Sequence, residues 1–136
     1  MITKNYDVLP KEAKEIRIKV FMNEQGFKDE FGELDKICTH LVTFDGNIPC
    51  ATVRFYEQNG AYYIGRLAVI KAYRGKHLGA VIVNEAEKLI KEKGGKEIRL
   101  HSQVQAMPFY AKQGYTPFGE QDFDEDCLHH WMKKEL

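Results

Sequence analysis

The chain has 136 residues, 43% hydrophobic and 29% charged, and its 20 basic and 20 acidic side chains cancel to a formal net charge of zero. This composition predicts one soluble globular domain and gives no electrostatic reason to expect nucleic acid or an anionic membrane as a partner. Apolar runs are too short to span a bilayer, and we expect no signal peptide. Cys38, Cys50 and Cys127 lack metal-ligand spacing, so we expect reduced thiols in a cytoplasmic protein.

Helix and strand signals alternate along the chain. The predicted elements are a strand at 2–6, a helix from Pro10 to Gly26, a loop or short helix at 28–36, strands at 39–44, 48–56 and 61–70, a long helix from Leu78 that Gly94-Gly95 closes, a strand at 98–101, a short helix at 106–112, and strands near 116–120 and 128–134. Asp45-Gly46 and Asn59-Gly60 are hairpin signals. Hairpins together with crossover helices predict a single α/β domain over residues 1–136, with helices flanking a central mixed, mostly antiparallel sheet.

A short basic turn connects a buried strand to an amphipathic helix. The apolar run from Leu67 to Ile70 precedes Arg74-Gly75-Lys76, and helical apolar spacing starts at Leu78. The first N–H groups of a helix have no partner within the helix and lie at the positive end of its dipole, so this turn can bind phosphate. A solvated turn carrying two surface cations is the alternative.

The turn also resembles a known signature. Residues 74–79 are similar to the coenzyme A motif of the GNAT superfamily of N-acetyltransferases, Gln/Arg-x-x-Gly-x-Gly/Ala, with Arg74 and Gly79 matching and His77 in place of the first glycine. We therefore expect ordinary helical dihedrals at His77. The resemblance implies that the strands beside the signature splay apart, with the pantetheine arm of acetyl-CoA in the gap. The cofactor-binding residues it implies are Leu67, Ala68, Val69, Arg74, Gly75, Lys76, His77, Leu78, Gly79, Ala80 and Phe109.

A second segment carries the resemblance further. Phe109-Tyr110-x3-Gly114-Tyr115 resembles the family's Phe-Tyr-x3-Gly-Phe segment, and Tyr110 falls on its tyrosine. The resemblance implies that Tyr110 donates a proton to the departing coenzyme A thiolate, while backbone N–H groups near Val69 stabilise the oxyanion. A pair of core aromatic residues in a short helix is the alternative.

The acceptor side is the least specified part of the sequence. Residues 20–27 and Glu33-x-Asp35-x4-His40 resemble a branch of small bacterial GNAT proteins, in which this region walls the acceptor site. An amine attacks only when it is neutral, so a base is needed, and the candidates are Glu24, Glu33, Asp35 and His40. Of these, His40, whose ordinary pKa is the most suitable, and Glu33 are the expected catalytic residues beside Tyr110. The candidate substrate-binding residues are Phe21, Glu24, Asp35, Arg66, Gln103 and His130. His101, at the end of a strand beside the gap, could also act as a base or relay.

A metal site is not expected. His129 and His130 lie beside carboxylates, but adjacent residues on a strand point to opposite faces and rarely ligate one ion together. The resemblance implies an enzyme that moves the acetyl group of acetyl-CoA to a primary amine of a small-molecule or peptide acceptor by direct attack on the thioester. A non-catalytic acyl-CoA-binding regulatory module is the main alternative. A nucleotide-binding module is a third, against which the lack of a Gly-x-x-x-x-Gly-Lys-Ser/Thr motif counts. We expect a monomer or a homodimer.

Overall fold

The computed structural model describes residues 1–28 and 30–136, which form a seven-stranded sheet ordered β1-β2-β3-β4-β5-β7-β6. The strands are β1 (Ile2–Tyr6), β2 (Thr39–Asp45), β3 (Ile48–Gln58), β4 (Ala61–Val69), β5 (Glu97–Gln103), β6 (Thr116–Asp124) and β7 (Cys127–Glu135). The helices are α1 (Lys11–Arg17), its π-helical continuation (Ile18–Glu24), α2 (Leu78–Glu92) and α3 (Met107–Lys112), with 3₁₀ turns at Glu33–Lys36, Lys71–Tyr73 and Val104–Ala106.

The sheet is mixed and mostly antiparallel, which confirms the predicted fold class. β4 and β5 form its parallel pair, because α2 crosses over between them, and the other neighbouring strands run antiparallel. The hairpin between β3 and β4 turns at Asn59 and Gly60, whose φ angles are 53° and 83°. Two successive positive φ angles suit the tight hairpin turn that this dipeptide favours.

Helices cover both faces of the sheet. Ile82, Val83 and Ala86 of α2 belong to one apolar cluster together with Leu41 of β2, whereas the neighbouring Val42 belongs to a second cluster. Neighbouring residues on a strand point to opposite faces, so the two clusters lie on opposite sides of the sheet. The second cluster contains Ala13, Ile16, Val20 and Phe21 from α1 and its continuation.

The first helix differs from the expected single α-helix. It is α-helical to Arg17 and then continues as a π-helical turn, in which the Gln25 N–H donates to the Val20 carbonyl at 3.1 Å. Helical apolar spacing does not distinguish the two forms over so short a stretch. The wider turn matters here because π-helical segments are frequent at functional sites and this one supplies Val20 and Phe21 to the cleft described below. In the part of the chain that the structure describes, no helix is both long and apolar enough to cross a membrane.

Candidate active site

The parallel strands at the centre of the sheet separate after a short contact. Residues 62–64 of β4 pair with residues 98–100 of β5, and the two strands then diverge. Gly65–Val69 and His101–Gln103 line a cleft of about 710 Å³ between them. Leu67, Ala68 and Val69, expected at the cofactor, all lie in this wall. β4 continues to pair with β3 on its other side, so the divergence of β5 leaves only the β5-facing edge of β4 open for a ligand.

A β-bulge shapes the wall that β4 contributes. The pairing with β3 shifts between Thr52 and Arg54, so that Arg66 and Leu67 both stand opposite Val53. Arg66 takes a left-handed conformation with φ 53°, which is uncommon for a residue with a Cβ. Bulges bend the strand that carries them, and this one lies where β4 leaves β5. The Arg66 side chain lines the cleft, as expected, with its Nε 3.2 Å from Glu30 Oε2.

The turn before α2 lies at the cleft, although one expectation about it was wrong. His77 has φ 63° and ψ 18°, a left-handed conformation rather than the expected helical one, because it is the N-cap residue that precedes the first turn of α2. Gly75, two residues earlier, is also left-handed at φ 81°. Successive turn amides in such conformations form concave anion sites. No side chain of the described residues caps α2, so its first N–H groups remain available near the lining residues Leu78, Gly79 and Ala80.

Arg74 and Lys76, two residues of the predicted cofactor turn, direct their side chains to other parts of the protein. Arg74 donates from both terminal nitrogens to the Glu24 carboxylate at 2.6 and 2.7 Å, and its Nε donates to the Val69 carbonyl. Glu24, expected on the acceptor side, therefore pairs with the phosphate turn, and the hydrogen bond from Arg74 lowers its pKa. Lys76 does not line the cleft; its Nζ lies 5.3 Å from the centre of the Tyr73 ring.

Close packing explains the glycine at position 79. A Cβ there would lie 3.2 Å from Cζ of Phe109 and 3.4 Å from its Cε1. Phe109 is the residue that the sequence places at the cofactor, and its ring lines the cleft. A glycine therefore allows the first turn of α2 to approach the aromatic wall closely.

Tyr110 is buried in the cleft wall. Its ring packs edge-on against Phe109 and Tyr115, with centroids 5.0 and 5.9 Å away. Burial raises the pKa of Tyr110, so the phenol keeps its proton at neutral pH. Its hydroxyl has no hydrogen-bond partner among the described residues. Tyr115, by contrast, donates to Glu87 Oε2 at 2.7 Å and is held in the core.

Asp35 belongs to a buried ion-pair network rather than to the cleft. Its carboxylate accepts hydrogen bonds from Arg17 at 2.8 Å and Arg54 at 2.7 Å. Burial favours the protonated acid, but these hydrogen bonds outweigh it and hold the pKa of Asp35 well below its ordinary value. Arg17 also donates to Glu30, which does line the cleft and whose pKa burial raises. Glu30 and Asp35 therefore form ion pairs with arginines from other elements.

His40 and Glu33, the expected catalytic bases, are not brought to the cleft. His40 is only 1% exposed, donates from Nε2 to the Asp35 carbonyl at 2.9 Å, and has a pKa that burial lowers. Glu33 is solvent-exposed and pairs with Lys36. Neither residue lines the cleft, so the structure gives neither of them access to a thioester there.

A cluster of rings occupies the β5 and β7 side of the cleft. His129 and His101 line it and stack with centroids 4.6 Å apart, and His101 Nε2 lies 2.7 Å from Asp122 Oδ1. Gln103, predicted on the acceptor side, also lines it and donates to Gln25 Oε1 at 2.7 Å.

His130, the other predicted acceptor residue, points away from the cleft. Its Nε2 donates to the Gly119 carbonyl at 3.0 Å, and the cleft is lined by His129 in its place. Alternation along β7 carries the signal: Met132 is buried in the α2 cluster, so His130 shares its face, and His129 and Trp131 take the opposite one. The described residues contain no group of three or more side chains arranged to hold a metal ion.

Comparisons with known proteins agree with this geometry. A model of the acetyltransferase (GNAT) domain matches residues 7–136. The uncharacterized N-acetyltransferase YjcF of Bacillus subtilis is 33% identical over 138 residues, covering 99% of this chain and 98% of its own. An acyl-CoA N-acyltransferase from Pseudomonas aeruginosa superposes with a TM-score of 0.85 at 21% identity, covering 98% of this chain and 97% of its own. The PaiA N-acetyltransferase of Thermoplasma acidophilum, solved in complex with coenzyme A, has a TM-score of 0.73 at 19% identity and full coverage of both chains (100% each).

Proposed function

This chain belongs to the GNAT acetyltransferase family and is an acyltransferase, and from that premise we propose that it moves the acetyl group of acetyl-CoA to a primary amine by direct attack on the thioester. One observation carries the proposal: a single cleft is lined by the open edge of β4, the uncapped start of α2 and the Tyr110 side chain. These are the parts needed to hold a thioester arm, to bind a diphosphate and to protonate a thiolate.

The cofactor is proposed to lie along the divergence of β4 and β5. Its pyrophosphate would meet the N–H groups from Gly75 to Ala80, where the helix dipole favours negative charge. Its pantetheine arm would pair with the edge of β4 from Leu67 to Val69. In that position a β4 N–H group can donate to the thioester oxygen and becomes more effective as negative charge develops on that oxygen.

Direct transfer needs two proton movements. A neutral amine attacks the acetyl carbon, a C–N bond forms, and the C–S bond breaks with its electron pair passing to sulfur. The buried phenol of Tyr110 is protonated at neutral pH, and we assign it as the donor to that sulfur. The amine nitrogen must lose a proton in the same process, which calls for a base in the cleft. No cysteine is required, and burial raises the pKa of Cys38 to about 11, which disfavours a thiolate nucleophile there.

The test separates an enzyme from a module that only binds acyl-CoA. Acetyl-CoA and ATP are titrated into the protein by calorimetry, and free thiol release from acetyl-CoA is followed with spermidine, L-lysine, glucosamine and kanamycin as acceptors. We expect acetyl-CoA to bind, ATP to bind far more weakly, and at least one amine to raise thiol release well above hydrolysis. Tight binding with no release on a broad amine panel would favour the regulatory module, and absence of acetyl-CoA binding would overturn the proposal.

A further inference from the structure

We propose that His129 is the general base that removes the proton from the attacking amine; this assignment rests on the acetyl transfer proposed above. His129 lies near the start of β7, in register with Gln103 at the end of β5. Its ring lines the same cleft as Val69 and Tyr110. It therefore borders the space that opens where β4 and β5 part.

The hydrogen bonding of His129 fixes which ring nitrogen carries the proton. Its Nδ1 lies 2.9 Å from the carbonyl oxygen of Cys127. A carbonyl oxygen can only accept, so Nδ1 must be the donor and must bear hydrogen. In the neutral imidazole this leaves Nε2 with a free lone pair. The backbone of β7 thus holds the ring in the tautomer that a base requires.

The free nitrogen is left open within a buried ring. His129 is 6% exposed, with Phe27 edge-on at 6.5 Å and His101 stacked at 4.6 Å. Among the described residues Nε2 has no hydrogen-bond partner, yet it is not sealed in the interior. A polar ring atom that is neither satisfied nor enclosed, in a ring that lines the cleft, is available to an incoming N–H group.

Two of the other basic groups that line the cleft, Glu30 and His101, are already engaged. Glu30 accepts from Arg17 at 2.6 Å and faces Arg66 at 3.2 Å. His101 is bonded through Nε2 to Asp122, and the hydrogen bond from His101 lowers the pKa of Asp122, so that carboxylate holds the ring as its acceptor. His129 keeps an unengaged lone pair at the cleft, and imidazole is the side chain best suited to take up and release a proton near neutral pH.

The proposed step balances. As the amine nitrogen bonds to the acetyl carbon, its N–H proton passes to His129 Nε2, and the C–S electron pair goes to sulfur. Sulfur takes the proton of Tyr110, which leaves a phenolate and an imidazolium. Proton return from His129 to Tyr110 through solvent restores both groups, and the products are an acetamide and the free thiol of coenzyme A.

The experiment compares His129→Gln and His129→Ala with His130→Gln, whose ring bonds Gly119 on the other face of β7. Thiol release is measured with whichever amine of the panel the wild type uses. We expect kcat/KM to fall about 100-fold or more for both His129 variants, the usual range for loss of a general base. Calorimetric binding of coenzyme A should be unchanged. Added imidazole should restore part of the activity of His129→Ala, which a purely structural role would not allow. His130→Gln should stay within threefold of wild type.

Two results would overturn the assignment. One is a folded His129→Gln protein within threefold of wild type. The other concerns the wild type alone and does not depend on a variant folding: nitrogen-15 histidine NMR should show His129 protonated at Nδ1 and unprotonated at Nε2, and the reverse tautomer would remove the base. A wild type that acetylates none of the amines would instead count against the proposed function, which keeps the two failures apart.

Discussion

Arg74 and Glu24 form a bidentate ion pair, at 2.6 and 2.7 Å, that ties the turn before α2 to the end of the π-helical segment. The pair sits where the cofactor diphosphate is proposed to bind, so an anionic ligand and the Glu24 carboxylate would compete for one guanidinium. Both side chains are more than a third exposed, so the pair itself contributes little to stability.

Removing the carboxylate should therefore favour the ligand. We expect Glu24→Gln to tighten coenzyme A binding about two- to fivefold, because the diphosphate would no longer compete with a carboxylate for Arg74 and an exposed ion pair is weak. Calorimetry at low and high salt measures this, and the gain should shrink as salt screens the charges. Glu92→Gln, at the exposed end of α2, is the matched control and should leave affinity unchanged. Weaker binding in Glu24→Gln would mean that Glu24 positions Arg74 for the ligand instead of competing with it.

The proton donor can be tested by removing one oxygen atom. Tyr110→Phe keeps the ring packing against Phe109 and Tyr115, so coenzyme A affinity should be retained while kcat falls about 100-fold. Tyr56→Phe is the control, since Tyr56 stacks on Tyr63 away from the cleft. Unchanged turnover in Tyr110→Phe, measured by thiol release, would remove Tyr110 from the mechanism.

The left-handed conformation of His77 predicts an unusual stabilisation. That conformation costs a residue with a Cβ about 1 to 2 kcal/mol. A glycine removes this cost but destabilises the folded protein by about 0.4 to 1 kcal/mol, because it increases the conformational entropy of the unfolded chain. His77→Gly should therefore raise the free energy of unfolding by about 0.5 to 1 kcal/mol in urea titrations. Lys76→Gly, at a position without a positive φ, should lower it instead. Equal losses in both variants would show that His77 is not strained.

Asp35 should govern the response to acid. Its pKa is lower in the folded chain than its ordinary value of 3.8, so its contribution to stability is complete above about pH 4 and is lost as pH falls below that range. Asp35→Asn should cost about 3 to 5 kcal/mol at neutral pH, because it leaves Arg17 and Arg54 underneutralised, and should flatten the dependence below pH 4. Denaturant titrations across pH measure both effects. Glu33→Gln, two residues away on the surface, should match wild type at every pH, and an equally steep acid slope in Asp35→Asn would contradict the assignment.

The sequence predicts the scaffold better than the acceptor side. Hairpin turns, the long helix and the splayed strand pair follow from local signals and a family motif, and each of these predictions is confirmed. Val81 fits the helical apolar spacing that starts at Leu78 but is 46% exposed, whereas Val83 is buried, a difference that helical spacing alone does not resolve. The left-handed conformation of His77 does not follow from the sequence, since nothing in its residue type indicates a positive φ.

The acceptor side depends on distant partners. The sequence predicts Asp35 as a substrate-binding residue, but in the structure α1 and β3 place Arg17 and Arg54 beside it. The choice between His129 and His130 depends on the strand parity of β7, for which the buried Met132 was the available clue. Pairing between β6 and β7 is interrupted between Pro117 and Gln121, an irregularity that sequence reasoning did not anticipate.

The three paired rows between β4 and β5 divide the sheet into two antiparallel plates, β1 to β4 and β5-β7-β6, which meet at a narrow backbone seam beneath α2. A ligand that filled the cleft beyond Ile64 would contact both plates and connect them. Ligand binding in the cleft should then make the unfolding of this chain more cooperative, since a bound ligand and the paired residues of β4 and β5 both hold the two parts of the sheet together.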